Sequence, residues 1–598
     1  MSNYNDLWIA AITRGHNASV CLLKNGEIVF SIEEERLTRQ KYDGGPYAAM
    51  LKILEFTNRL DYLVVAHTQT LTDTAGKVDF SGEDVYTGLA RKLGLIDRKQ
   101  NLLNHPQVLD FSNMHHKLHA ACAFYRSGFR EAAALIVDGA GTFLSLVASG
   151  EHTVGWETET IFDCSYPAWF NTVYKHIGLR GPTPGVMMSE FASDTYDEVG
   201  RTHEALITDR AGITKVYEAV TQYCGWASIE AGKTMGLFPY GKPNDKIPSL
   251  FDHSSKWPLS NRNLIVPTYP NGAIVNQFMF EELEAMNADD LTTLQNRRDL
   301  AYACQTQTQE EVVKLIRKAV EKTGHKNVVI SGGYGLNCVA NYHYLEALKD
   351  EGINIYVEPI SNDAGTAIGA ALLQYHNLQK LPKKDYSKDG LYLGLPYTYT
   401  EDDLTALKNK YDIEITNAEH SDIVNLLLNK NIVALFQGRS ENGPRALGNR
   451  SILFNPAYAD GKDFVNQVKR REYFRPFAGS ILEEHVHEWF DLRGMSNSPY
   501  MMYAVNCQPG VEEKIPSIIH VDGTCRIQTV TSEQNKHYYD LIKEFYNKTG
   551  IPILFNTSFN LGGDPLVETL EDAVTTLVRS EIEYLYLPEL GKLIKVEN

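Results

Sequence analysis

Short apolar runs closed by polar, glycine-bearing turns recur along this chain, which is the pattern of buried strands. Leu7-Trp8-Ile9-Ala10-Ala11-Ile12 reads as a strand, Arg14-Gly15-His16-Asn17 as a turn and Ser19–Leu23 as a second strand. Asn25-Gly26 is the strongest short hairpin signal and leads into Glu27–Ile32. The apolar run around Ala133–Val137 ends at Asp138-Gly139-Ala140-Gly141-Thr142, and Asn327–Ile330 runs into Ser331-Gly332-Gly333-Tyr334-Gly335-Leu336-Asn337. His115–Phe124 reads as a helix, residues 296–323 as a long amphipathic one, and Ala367–Leu373 as a small-residue helix behind Ser361-Asn362-Asp363-Ala364-Gly365-Thr366. Residues 379–394 are rich in Lys, Pro, Asp and Gly and lack apolar periodicity. They read as a linker between an α/β domain over 1–378 and a second over 395–598.

Composition narrows the class without naming a chemistry. The 598 residues suffice for about three or four units of roughly 150 residues. A hydrophobic content of 43% and a charged content of 22% suit a globular protein. No apolar run is long enough to span a bilayer and no basic-then-apolar leader opens the chain, so no membrane role and a cytoplasmic setting are expected. The eight cysteines stand singly, as core residues of a reducing compartment do. A net charge of −18 argues against nucleic-acid binding by the bulk surface. Nothing in the pattern indicates an oligomeric state.

Chemistry-bearing residues fall into two groups. His115 and His119 are spaced i, i+4 and share a helix face, as two ligands of one ion must. Alone that spacing is weak; Asp138 and Asp363, each beside a glycine turn, supply hard ligands and make a site for a divalent transition metal. His116 reads as packing. In the second group, Gln437–Leu453 (Q-G-R-S-E-N-G-P-R-A-L-G-N-R-S-I-L) holds Arg439, Arg445 and Arg450 in a segment that turns repeatedly. Lys469-Arg470-Arg471-Glu472-Tyr473-Phe474-Arg475-Pro476-Phe477, His520–Arg526 and Asn556-Thr557-Ser558-Phe559-Asn560 follow. Cations gathered beside turn glycines in a net acidic chain suit a polyanionic small ligand, against the plainer alternative of a solvated arginine-rich loop. Glu33-Glu34-Glu35-Arg36 reads as a solvated strand end, Met235–Tyr240 as an apolar wall, and Lys233 as a cation within reach of a phosphate.

These four carboxy-terminal motifs, in this order, resemble the O-carbamoyltransferases of antibiotic and nodulation-factor biosynthesis. The resemblance implies a duplicated actin-like ATPase fold followed by a YrdC-like α/β domain. It makes His16, in a G-H-x-A-S turn, a candidate for handling the acceptor hydroxyl's proton, against the reading of a hydrogen-bonding turn histidine. Lys41, after the E-E-E-R run, is a second catalytic candidate. By the same likeness His115, His119, Asp138 and Asp363 would hold Fe(2+) or a similar ion at nucleotide phosphates. Gly139, Gly141, Gly332, Gly333 and Asn337 would line the nucleotide. Arg445, Lys469, Arg475, Arg526, Asn556 and Ser558 would bind carbamoyl phosphate and ATP with Mg(2+). Ala231-Gly232, Ser440 and Asn442 depart from the family pattern.

The expected reaction forms carbamoyladenylate in the second domain and transfers the carbamoyl group to a hydroxyl acceptor in the first. The acceptor would be a natural product, a sugar, or a hydroxymethylated pyrimidine in DNA, the last needing a basic groove such as Arg36, Arg39, Lys41 and Tyr42 would furnish. Two other classes fit the amino-terminal pattern: a tRNA threonylcarbamoyladenosine-synthesis enzyme, and a non-catalytic actin-like ATPase scaffold.

Overall fold

In a computed structural model the described residues are 6–68, 85–99, 105–148, 151–179, 186–192, 198–208, 211–247, 249–251, 264–268, 272–275, 291–380 and 384–596. They divide into two compact units, residues 1–34 with 44–388 and residues 35–43 with 389–598.

The first unit is built from two sheets with one topology. β1 (Trp8–Thr13), β2 (Ser19–Lys24) and β3 (Glu27–Glu33) form an antiparallel meander, and β4 (Tyr62–Ala66) and β5 (Val108–Asp110) add parallel strands on the far side of β1, giving the order β3-β2-β1-β4-β5. Asn25 (φ 52°) and Gly26 (φ 80°) close the first hairpin in the left-handed conformation that a two-residue turn needs to match strand twist. The second sheet repeats this arrangement with β6 (Glu131–Val137), β8 (Glu151–Ser165), β9 (Trp169–Leu179), β14 (Asn327–Ser331) and β15 (Asn354–Val357) in the order β9-β8-β6-β14-β15. β7 (Phe143–Ala148), β10 (Val186–Ala192) and β11 (Thr202–Thr208) extend it, and β12 (Leu264–Thr268) pairs with β13 (Gly272–Val275) apart. The same succession of antiparallel and parallel pairings twice in one unit is the duplicated actin-like fold.

Two helices set the centre of this unit. α1 (His115–Arg126) is buried at every position, and α4 (Ala364–Gln379) crosses it closely. Gly369 makes the crossing possible: a Cβ there would sit 1.9 Å from the Leu118 carbonyl oxygen. Close backbone approach is what a missing side chain permits, and it draws the start of α4 towards the start of α1. Between them in the chain run α2 (Gln295–Thr323) and α3 (Cys338–Ala347).

The second unit is an α/β domain on one ten-stranded mixed sheet. Its strands are β16 (Ile413–Asn417), β17 (Val433–Phe436), β18 (Arg450–Phe454), β19 (Ala478–Leu482), β20 (Phe490–Asp491), β21 (Ala504–Cys507), β22 (Thr524–Val530), β23 (Ile553–Ser558), β24 (Tyr584–Leu587) and β25 (Lys592–Val596). They lie in the order β16-β25-β24-β17-β18-β23-β19-β22-β21-β20. Leu541, Ile542 and Phe545 of α6 (Lys536–Thr549) pack with Val433, Leu435, Leu453 and Leu554 to form its core; α5 (Gly461–Val468) precedes the cationic run. All eight cysteines are free thiols, seven of them buried. Among the described residues no helix is long and apolar enough to cross a membrane.

One local expectation is corrected. Glu33, Glu34, Glu35 and Arg36 are all buried. The chain leaves the first unit here, so the run has partners a free strand end lacks. Glu34 accepts the N–H groups of Ala48 and Ala49 at 2.7 and 2.8 Å. Glu35 holds Lys41 Nζ at 2.6 Å and accepts the Tyr42 N–H at 3.0 Å.

Candidate active site

Four ligating side chains of the first unit converge. His115 and His119 lie in the first turns of α1, Asp138 immediately follows strand β6, and Asp363 immediately precedes α4. One ligand atom from each lies within 4.8 Å of every other. His115 Nε2 stands 3.4 Å from Asp138 Oδ2 and 3.6 Å from Asp363 Oδ1; His119 Nε2 stands 4.0 and 3.6 Å from the same atoms. These separations exceed a good N–H···O distance of about 2.9 Å. They approach those of groups flanking an ion at about 2.1 Å from each ligand atom. Both ring nitrogens of His115 and Nε2 of His119 are buried without a hydrogen-bond partner. His119 Nδ1 lies 3.4 Å from Ser331 Oγ, which turns Nε2 towards the carboxylates.

Electrostatics agree with the geometry. Burial disfavours the His115 imidazolium, yet the Asp138 and Asp363 carboxylates overcome it and push the imidazole up to about 10. Burial would raise Asp138 and Asp363 too; contact with His115, and with His119, holds both below the usual carboxylate range. The cluster therefore demands positive charge, as a proton or as a metal ion, and two imidazoles with two carboxylates are a donor set for a divalent transition ion. His116 stays outside: burial pushes it down to about 4, and its Nδ1 lies 2.7 Å from Thr160 Oγ1.

The glycine turns meet this cluster. Gly333 donates its N–H to Asp138 Oδ1 at 3.1 Å. Gly332 has φ 88°, and a Cβ there would lie 2.4 Å from the Val137 carbonyl oxygen. Gly139 and Gly141 form the turn after Asp138, fixed by Gly141 N–H on the Glu157 carbonyl at 2.8 Å and Thr142 N–H on the Glu157 carboxylate at 2.9 Å. Asn337 is placed differently: it caps α3 through the Ala340 N–H at 3.1 Å and exchanges amide hydrogen bonds with Gln305 at 3.0 and 3.2 Å. His16 is exposed in the turn after β1, and its charge helps to lower Asp363. Lys41 belongs to segment 35–43 of the second unit, on Glu35. Lys233 pairs with Glu230 at 2.9 Å.

His67 escaped the sequence reading. Burial, with Arg14 and His115, pushes it down to about 3, so it lies by the cluster. The signal was a histidine closing the apolar run Tyr62–Ala66, a strand parallel to β1.

In the second unit the cations of the arginine segments sort by what they touch. Arg450 is fully buried; it donates to the carbonyls of Gln437, Asn449, Gly438 and Glu568 and lies 3.8 Å over the Phe436 ring. Arg439 donates to the Gly394 and Leu393 carbonyls at 2.7 and 3.0 Å. Both are structural. Arg445, by contrast, joins Arg471, Arg475 and Arg526, which lie near one another: burial and then Arg475, Arg526 and Arg445 hold the Arg471 guanidinium well below its usual value, against one carboxylate, Glu472. Lys469 is buried at 1% exposure, donates to the Ser558 carbonyl and lies 3.3 Å from Ser558 Oγ and 3.2 Å from Asn560 Oδ1. Burial, with Arg471 and Arg475, depresses its ammonium strongly.

Strand register aligns the floor. Ala478 of β19 is paired with both Arg526 of β22 and Asn556 of β23. Asn556 donates to Ser480 Oγ at 2.9 Å and to the Ala446 carbonyl at 3.2 Å. Arg471 was not among the expected ligands. Its signal was position, two residues after Lys469 in the same cationic run; in the structure Arg470 between them takes φ 55°. Lys469, buried beside four partly exposed guanidinium groups, makes this the cationic centre of the second unit.

Comparison with known proteins bears on this pair of sites. Residues 57–372 match the model for the carbamoyltransferase N-terminus and residues 424–592 that for the carbamoyltransferase C-terminus. An uncharacterized protein of Synechocystis, sll1178, is 30% identical over 96% of this chain and 94% of its own length. Nodulation protein NolNO of Sinorhizobium fredii is 30% identical over 95% of this chain and 78% of its own. Full-length HypF, in its phosphate- and nucleotide-bound form, shares 12% identity at a TM-score of 0.33, over 62% of this chain and 47% of that one. With matched segments at both ends and a relative alike over nearly its whole length, the chain belongs to the carbamoyltransferase family.

Proposed function

We propose that the protein is an ATP-dependent O-carbamoyltransferase that makes and uses carbamoyladenylate in its two units. The observation that carries this reading is the pairing, in one carbamoyltransferase chain, of an imidazole–carboxylate cluster suited to a cation with a lysine–arginine cluster suited to an anion.

In the second unit carbamoyl phosphate and water would give carbamate and phosphate. A carbamate oxygen would then attack the α-phosphorus of ATP, and pyrophosphate would leave. Arg445, Arg471, Arg475 and Arg526 neutralise the two polyanions so that they can meet, and Lys469 stands at the buried base. Ser558 and Asn560 hold Lys469; Asn556 fixes the floor. Mg(2+) would accompany the ATP phosphates.

In the first unit His115, His119, Asp138 and Asp363 would hold Fe(2+) or a similar divalent ion, which supplies Lewis acidity and charge for the nucleotide phosphate. The turn carrying Gly139 and Gly141 and the Gly332-Gly333 turn let backbone approach the nucleotide. His16, exposed beside Asp363, takes the proton of the acceptor hydroxyl as its oxygen attacks the carbamoyl carbon, and AMP leaves. Lys41, on Glu35 in segment 35–43, is kept as a second catalytic candidate on family resemblance alone.

A small hydroxylated acceptor is favoured over DNA because the expected basic groove is not available: Arg36 and Arg39 donate their guanidinium groups to backbone carbonyls. Incubation with ATP, carbamoyl phosphate and Mg(2+) should yield pyrophosphate, and AMP once a hydroxyl acceptor is supplied. Absence of both products across a panel of hydroxylated sugars and natural products would sink the reading.

A further inference from the structure

The turn that carries Arg445 is held by a residue from the other end of the sequence. Arg36 Nη1 donates to the Glu441 carbonyl at 3.1 Å and Nη2 to the Gly443 carbonyl at 2.9 Å. On the other side of Arg445, Ala446 O accepts from Asn556, and Leu447 O accepts from Gln528 Nε2 at 2.9 Å and from the Tyr392 hydroxyl at 2.8 Å. The Glu441 carboxylate closes the loop from within, accepting the N–H groups of Leu447 and Asn449 at 2.6 and 2.9 Å. The backbone is thus gripped on both sides of Arg445.

Segment 35–43, which carries Arg36, is itself tightly fixed. Arg39 donates to the Leu566 and Pro565 carbonyls at 2.6 and 2.9 Å, and its Nε lies 3.7 Å from Asp572. Arg39 and Tyr42 take φ of 60° and 63°. Left-handed backbone at two non-glycine residues costs of the order of 1 kcal/mol each and persists only where surroundings over-determine it. The segment is therefore a built part of the second unit.

We infer that Arg36 is a positioning residue of the anion site: its planar fork sets the Glu441–Gly443 turn and with it the direction of Arg445. A lysine in its place keeps the charge but cannot bridge two carbonyls in one plane. The inference rests on the proposed function only for what the anion is; the arrangement itself can be tested with inorganic pyrophosphate.

The full-length protein, Arg36→Lys, Arg36→Gln and Arg445→Gln are titrated with pyrophosphate by calorimetry, and each is tested for pyrophosphate release from ATP and carbamoyl phosphate. Binding that Arg445→Gln abolishes defines the site. Arg36→Lys is expected to weaken it about tenfold and Arg36→Gln further, the loss lying in the KM for carbamoyl phosphate more than in kcat. A merely structural role would lower the unfolding temperature without that split. Wild-type affinity in Arg36→Lys overturns the inference, as does failure of the parent chain to bind pyrophosphate. Pyrophosphate bound normally but never released from ATP overturns the proposed reaction and leaves the role of Arg36 supported.

Discussion

The two candidate sites are electrostatic opposites. In the first unit two buried imidazoles face two carboxylates, a donor set suited to a cation. In the second, Lys469 and four arginines gather around Glu472, and positive charge predominates. In the first, imidazole–carboxylate contact outweighs burial, whereas in the second Lys469 is taken from water beside like charges, which opposes folding. Such strain persists where a ligand repays it. The contrast teaches that the chain carries two binding problems of opposite sign, and each can be broken without touching the other.

The largest expected effect is at the first. Asp138→Asn keeps the size of the side chain and removes one anionic ligand. Metal per chain, measured by elemental analysis, should fall to near zero, and carbamoyl transfer should drop by at least about a thousandfold. Pyrophosphate release in the second unit should persist. Loss of both half-reactions together would erase the separation drawn above.

Next comes Lys469→Met. The methionine fills similar space without a charge, so repulsion from Arg471 and Arg475 is relieved. Pyrophosphate release should fall about a hundredfold or more while the unfolding temperature holds or rises. A variant that is both inactive and markedly less stable would show Lys469 to be a structural ion, held in place by Ser558 and Asn560.

These effects also mark how far the sequence could be read. Helix spacing puts His115 and His119 on one face, and aspartates beside strand-end turns point to the same edge; both are local rules. The lysine and arginine runs announce a cluster of cations in the same way. What local rules cannot show is which cations are already committed. Arg439, Arg445 and Arg450 are the same residue type in one turning segment, yet two of them hold backbone carbonyls and only Arg445 joins the cluster. The Glu33–Arg36 run reads as solvated because the partners of its two ends, Glu33 and Arg36, lie hundreds of residues away, at Asn362, Glu441 and Gly443. The cap that Asn337 makes on α3 and its bonds to Gln305 are likewise not legible from spacing.

A smaller effect separates two adjacent glycines behind Asp138. Gly332→Ala places a Cβ 2.4 Å from the Val137 carbonyl oxygen at a φ of 88° and should cost about 2–4 kcal/mol, with metal content lowered. Gly333→Ala meets only Asp138 Oδ1 at 3.4 Å, with no left-handed φ, and should cost about 1 kcal/mol or less. Chemical denaturation of the two variants measures the difference; equal losses would mean that the turn, and not the close approach at Gly332, sets the position of Asp138.

The smallest effect concerns charge that burial forbids. His203 of β11 is buried, both ring nitrogens lack a hydrogen-bond partner, and its ring meets Phe191 edge-on at 5.5 Å. Burial, and then Lys175, push it down to about 4. The unfolded chain has its histidines near about 6.5 and takes up the proton first as pH falls. Stability is therefore intact above pH of about 6.5 and is lost progressively as pH falls towards 4. His376, pushed down to about 4 by burial and by Lys384, works in the same window and the same direction. Phenylalanine at 203 keeps the ring contact and removes the proton site, so the His203→Phe unfolding temperature should decline less between pH 6.5 and 4 than that of the parent. Parallel curves would mean that the His203 ring finds water or a proton acceptor in the folded state, and that the first unit tolerates buried cations as the second one does.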